Sequence, residues 1–204
     1  MRRAPMPTRQ RLEFGWAIAG ASVLAAVLIW ALWVLPISRS IESATPAAIG
    51  SSVVYEVEKG KTAGIWTSGR SSWLGTVSCT VEGPDGGSPG VLNVRGLSWE
   101  DTLWWMTRRS GFEQTRWFTA TSSGNHTITC RDSLDTYEGE YLLAKSAAGS
   151  GDLGLGRSGG VRYAKSEILA MSAVFTPLLA IMLIPIMTIQ TLRVRWSRRK
   201  SEKS

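Results

Sequence analysis

The sequence predicts a membrane-anchored, mainly β protein: an antiparallel β-sandwich, immunoglobulin-like or jelly-roll-like, between two transmembrane α-helices. Three observations predict it. Two long apolar runs, residues 14–37 and 167–192, stand near the ends of the 204-residue chain. The residues between them break into short alternating runs separated by Gly, Pro, Asn and Asp, the pattern of strands joined by turns. The charge is also unevenly placed. Basic residues exceed acidic ones by three in residues 1–13 and by five in residues 193–204, whereas residues 38–165 hold 13 of each.

That placement argues against a nucleic-acid partner, although the formal net charge is +7. The excess sits only beside the apolar runs, and basic flanks of membrane helices stay cytoplasmic. Both termini are therefore expected in the cytoplasm, with the neutral middle outside the cell membrane.

Residues 1–13 read as a basic, unstructured cytoplasmic segment with Pro5 and Pro7. Residues 14–37 carry no charge and exceed the roughly 20 residues a helix needs to cross a bilayer. A cleaved signal peptide is disfavoured. The run is longer than the 7–15-residue apolar core of such peptides, and Glu42 stands three residues before the best cleavage point. Trp16, Trp30 and Trp33 lie near the ends of the run, as in an interfacial aromatic belt. Ala17, Ala21 and Ala25 repeat every fourth residue, beside Gly15 and Ala19. They form a candidate small-residue face for helix packing. Pro36 is expected to end the helix, and residues 38–50 to form a Ser/Ala/Pro linker.

The extracytoplasmic domain is expected over residues 51–146, with strands at 51–58, 62–67, 76–82, 91–94, 102–107, 112–121, 126–131 and 141–145. The clearest alternation places Val77, Cys79 and Val81 on one face, and Ile128 with Cys130 on another. Cys79 and Cys130 are the only cysteines. In an oxidising compartment their inward positions predict one disulfide. No zinc-like spacing unites them with His126, the single histidine. His126 reads as a strand-edge residue without a catalytic role. The acidic loop of Asp132, Asp135, Glu138 and Glu140 lacks the order of an EF-hand. No motif calls for a cofactor or metal.

Tryptophan crowds the stretch LSWEDTLWWM, residues 97–106. Trp99, Trp104 and Trp105 are the candidate interaction surface, since aromatic anchors dominate protein interfaces. As a strand, 102–107 would point Trp104 and Trp105 to opposite faces, leaving one exposed.

Residues 147–166 form a glycine-rich tether without the Lys-Ser/Thr of a phosphate loop. In the second helix, 167–192, Pro177 and Pro185 are expected to introduce kinks, while Ser172, Thr176 and Ala180 offer a packing face. The tail, residues 193–204, places Arg193, Arg195, Trp196, Arg198, Arg199 and Lys200 where they would rest on anionic lipid.

The segments TVSCTVEGPDG and FTATSSGNHTITC, with the two-anchor layout, resemble small actinobacterial two-helix membrane proteins with an extracytoplasmic disulfide-bonded β-sandwich. The resemblance covers residues 62–131. It implies an actinobacterial envelope and a sandwich fold, and it brings no activity and no catalytic residues. The expected function is that of a non-enzymatic envelope protein, an accessory or interaction subunit. Its partners would be the lipid bilayer and a second protein or another copy of itself. The alternative is a ligand-sensing or signal-transducing membrane protein.

Overall fold

The computed structural model describes residues 8–94, 99–148, 150–152 and 162–201, and side chains within 10–94, 99–148 and 167–196. The expected N-terminal segment up to residue 7 and the tether residues 149 and 153–161 lie outside the described residues. The chain divides into two units, residues 1–31 with 172–204, and residues 32–171.

The first unit is a helix pair. Helix α1 spans Thr8–Ile29, and a long C-terminal helix, Lys165–Ser201, contributes its residues from 172 onward. Helical runs of 34 residues (Gln10–Ser43) and 30 residues (Glu167–Trp196) are long and apolar enough to cross a membrane by length and composition. The C-terminal helix passes through both Pro177 and Pro185 and continues beyond residue 192, so the basic stretch from Arg193 to Ser201 is helical. Arg193, Arg195 and Trp196 are exposed, Trp196 strongly so, while the side chains of Arg198, Arg199 and Lys200 lie outside the described residues.

The two helices run antiparallel, with Gly15 opposite Met187 and Trp30 opposite Ala173. The expected Ala17–Ala21–Ala25 face is not the packed one. Ala17 and Ala21 are exposed and Ala25 is half-buried, whereas Ala19 and Ser22 are buried. A strict four-residue repeat drifts about 40° per step around a 3.6-residue helix. The packed stripe instead alternates steps of three and four. On the partner helix Ala173, Ala180 and Met187 are buried at seven-residue spacing, with Ser172 and Thr176 half-buried beside them. At Gly15 an added Cβ would run into the Met187 methyl.

Pro177 has no N–H to give the carbonyl four residues back, that of Ala173. The indole N–H of Trp30 takes its place, donating to Ala173 O at 3.0 Å. In a membrane such a freed carbonyl has no water to turn to. Trp30→Phe is expected to lower helix-pair stability by about 1 kcal/mol, read as a lower midpoint in a detergent-denaturation titration of the full chain. An unchanged midpoint would show that the carbonyl needs no donor.

The second unit is two antiparallel sheets with helical cover. In chain order the strands are β1 (Ala47–Ala48), β2 (Ser52–Val57), β3 (Thr62–Gly69), β4 (Val77–Glu82), β5 (Leu92–Asn93), β6 (Glu113–Thr119), β7 (Gly124–Asp132) and β8 (Gly139–Lys145). Two short strands, β9 (Ser150–Asp152) and β10 (Arg162–Ala164), pair with each other. The large sheet has the order β1-β8-β3-β6-β5 and the small one β2-β7-β4. From β1 to β8, every connection except β5 to β6 passes from one sheet to the other. The core lies between the sheets. Ile65, Phe118, Tyr141 and Leu143 come from the large sheet, and Val57, Val77, Val81, Ile128 and Cys130 from the small one. The Tyr141 hydroxyl lies within 2.8 Å of Ser51 O and 2.9 Å of Ile128 O, tying β8 to the facing sheet.

Cys79 and Cys130 face each other in register on β4 and β7, their sulfurs bonded as a disulfide. His126 departs from the strand-edge expectation. It sits in the middle strand of its sheet and is fully buried. Its Nδ1 is 2.9 Å from Gly124 O and its ring packs against Phe118.

Between β3 and β4 comes the short helix α3 (Arg70–Trp73). Gly69, at φ +89°, pairs with Gly139, and a Cβ on Gly69 would meet Glu138 O at 2.9 Å. Backbone, rather than a movable side chain, fills that space. Asp132 organises the turn after β7. Its carboxylate accepts the N–H groups of Leu134, Thr136 and Tyr137, and the Thr76 hydroxyl together with these amides holds it down at about 2.

Pro36 does not end the first helical run. The chain passes through a π-helical turn, Trp30–Val34, into helix α2 (Leu35–Ser43), where a linker was expected. Proline removes a donor and crowds the preceding turn, and a π-turn widens the helix there. The helix continues because its inner face is covered: Val34, Ile37, Ser38 and Ile41 are buried. It lies against β8, where Ser40 Oγ accepts the Lys145 N–H at 2.9 Å and Ser38 Oγ donates to Met106 O at 2.7 Å. Hence β3 and β8 are buried on both faces, with Trp66, Leu142 and Ala144 turned away from the intersheet core yet nearly inaccessible.

Candidate functional site

The expected strand at 102–107 is helical. Helix α4 spans Trp99–Leu103, followed by a 3-10 turn, Trp104–Met106. Glu100 and Asp101 in the first turn suit a helix N-terminus, where partial positive charge favours carboxylates. Trp99 and Leu103 are buried, one helical turn apart and therefore on one side of α4.

This turn divides the three candidate tryptophans. Trp99, 2 % exposed, belongs to the interior. Its ring meets Trp33 and Trp66 edge to face, at 5.6 and 6.2 Å, and its indole N–H donates to Thr107 Oγ1 at 2.9 Å. Trp104 and Trp105 are both exposed, at 66 % and 52 %. Their rings stand 6.0 Å apart and nearly perpendicular.

The pair walls a groove of about 450 Å³ that also includes Glu100, Arg109, Phe112 and Glu113. Its frame is fastened from several sides. Arg109 donates through Nε to Ile41 O and through Nη2 to Glu42 O, both at 3.1 Å, satisfying terminal carbonyls of α2. Arg108 adds an exposed ion pair with Glu42 at 2.9 Å. Glu100 accepts the Gln114 N–H at 3.1 Å. Burial pushes the Glu100 carboxyl up to about 7, and the nearby Glu113 and Asp101 charges push the same way.

The groove therefore joins two nearly perpendicular aromatic rings with a carboxyl that burial pushes up to about 7. It can bind apolar and hydrogen-bonding surfaces. His126 is sealed in the core, its Nδ1 against Gly124 O and its Nε2 without a hydrogen-bond partner among the described residues. No cluster of three metal-ligating side chains forms among the described residues.

Two features escaped the sequence reading. Glu100 is one, a largely buried acid with no motif to mark it. Trp73 and Leu74, at 83 % and 58 % exposed, form an apolar tip after β3, and Leu134 is exposed in the β7–β8 turn stitched to it by the Ser133 N–H on Thr76 O. The available signal was apolar residues set among turn formers, Trp73-Leu74-Gly75 and Ser133-Leu134-Asp135.

No protein-family model matches the chain, and no curated protein matches its sequence.

Proposed function

We propose that the chain is a non-enzymatic integral membrane protein of the cell envelope, an accessory or interaction subunit that presents its β-sandwich outside the cytoplasm. The exposed Trp104–Trp105 pair carries this reading. Two tryptophans are held open to solvent on a turn whose neighbours are locked into the framework. Rigid, exposed aromatics lose little entropy on docking and act as interface anchors. Supporting the location are the two apolar helices, the disulfide and the basic flanks that favour cytoplasmic termini. The resemblance to actinobacterial envelope proteins points the same way. The second partner is a membrane protein or another copy of this chain.

Trp104→Ala with Trp105→Ala is expected to weaken association by about 2 kcal/mol or more, roughly thirtyfold. The fold should change little, because neither ring supports the core. Purification of the tagged chain from its native membrane in mild detergent, with mass spectrometry of bound proteins, reads the outcome. Undiminished recovery of every partner with the double variant would defeat the proposal.

One observation favours the sensing alternative. The edge-to-face series Trp33–Trp99–Trp66 joins the π-turn to the helix beneath the groove. A ligand altering the groove would press directly on that series.

A further inference from the structure

The sandwich unit has a second groove, of about 510 Å³, apart from the tryptophan pair. Its apolar side is Leu32, Trp33, Pro36 and Ile37. Leu32 is 74 % exposed there. Its lining from the strands carries Glu56 and Glu58 at the end of β2 and Lys61 and Lys145 at neighbouring strand ends. All four charged side chains are exposed. None forms an ion pair with another described residue.

The apolar side is the last part of the uncharged run 14–37. In a helix that crosses a bilayer, these residues leave the hydrocarbon and enter the headgroup layer. An occupant at that depth meets apolar surface and both signs of charge. We infer that this groove binds one phospholipid whose headgroup carries a phosphate and an ammonium, of the phosphatidylethanolamine type. Lys61 and Lys145 take the phosphate, Glu56 and Glu58 take the ammonium, and an acyl chain lies along Leu32 and Pro36. An ammonium-free anionic headgroup would leave the two carboxylates facing its negative charge, so the balanced lining selects against it.

This inference rests on the reading that residues 14–37 span a membrane. The test uses the full chain reconstituted into vesicles of equimolar phosphatidylethanolamine and phosphatidylglycerol. Resistance to alkaline carbonate extraction is checked first, then the chain is taken into mild detergent for native mass spectrometry. One phosphatidylethanolamine per chain is expected to survive delipidation. Lys61→Glu with Lys145→Glu should lower its occupancy at least tenfold, while Lys59→Glu, outside the groove, should not. Glu56→Gln with Glu58→Gln should shift retention toward phosphatidylglycerol, an independent reading should the lysine variant fail to fold. No retained lipid, equal or greater retention of phosphatidylglycerol by the unaltered chain, or full retention by the lysine variant would overturn the inference. Release of the chain by carbonate would instead defeat the membrane reading beneath it.

Discussion

Replacing Cys79 and Cys130 together by alanine is expected to lower the stability of the sandwich by about 4 kcal/mol. The two lie 51 residues apart in sequence. A crosslink closing a loop of that length removes much of the freedom of the unfolded chain. The location adds to the effect. β4 is an edge strand of the small sheet, paired only with β7, and the disulfide joins these two strands at the facing pair Cys79–Cys130. Without it, β4 is held by its backbone ladder, by Val77 and Val81 in the core, by the Ser78 and Thr80 hydroxyls on β7 carbonyls and by Arg116 of β6 on Val77 O. Because Cys130 is fully buried, the alanine variant also leaves unfilled volume in the core. Thermal unfolding of the full chain in detergent, with and without reductant, measures the cost. A midpoint insensitive to both reductant and substitution would show that the strand is held by other contacts.

The sandwich should lose stability as pH rises from 5 to 8, and Glu100→Gln should abolish most of that loss. The carboxyl shifts from an ordinary value of 4.5 to about 7 on folding. For an acid raised in this way the folded state holds the proton more tightly. No penalty exists below the unfolded value; it grows between about 4.5 and 7 and is complete above the folded value. A shift of this size corresponds to about 3 kcal/mol. Glutamine keeps an oxygen for the Gln114 N–H, so the substitution removes the charge and retains the hydrogen bond. Melting temperatures across that pH range, for the two proteins side by side, decide the matter. Parallel profiles would place the titrating group elsewhere. The same carboxyl lines the groove with Trp104 and Trp105, so docking there should also respond to pH near neutrality.

The strands with strict alternation were legible in the sequence: 76–82 and 126–131 emerge as β4 and β7, with their cysteines facing each other. That pattern records one wet face and one dry face. The runs TAGIWT and YLLAK were placed correctly, but their unbroken apolar character meant more than a strand. It marked burial on both faces, hence a covering layer: α2 lies over β8, and Trp99 of α4 packs on Trp66 of β3. Helix α2 was missed because a proline reads locally as a stop, whereas tertiary burial of Ile37 and Ile41 outweighs the lost bond. Residues 102–107 were misread because aromatic residues favour strands locally. The helix there is set by Trp99 and Leu103 sharing a buried side. For the same reason Trp99 was grouped with its neighbours, although nothing in residue type separates a structural tryptophan from a presented one.

The covering layer also bears on how the domain is made. The sandwich unit begins at Leu32, inside the apolar run, and not after it. Its outer sheet face stays open until α2 lies down on β8, and β8 is among the last strands to be synthesised. The strands alternate between sheets, so β1 waits for β8, β2 for β7, and β3 for β6. The outermost pairings therefore need residues near 145 together with the segment that starts at 32. A fragment cut after residue 37, at the edge of the apolar run, would lose Val34 and Ile37 from the buried side of that cover.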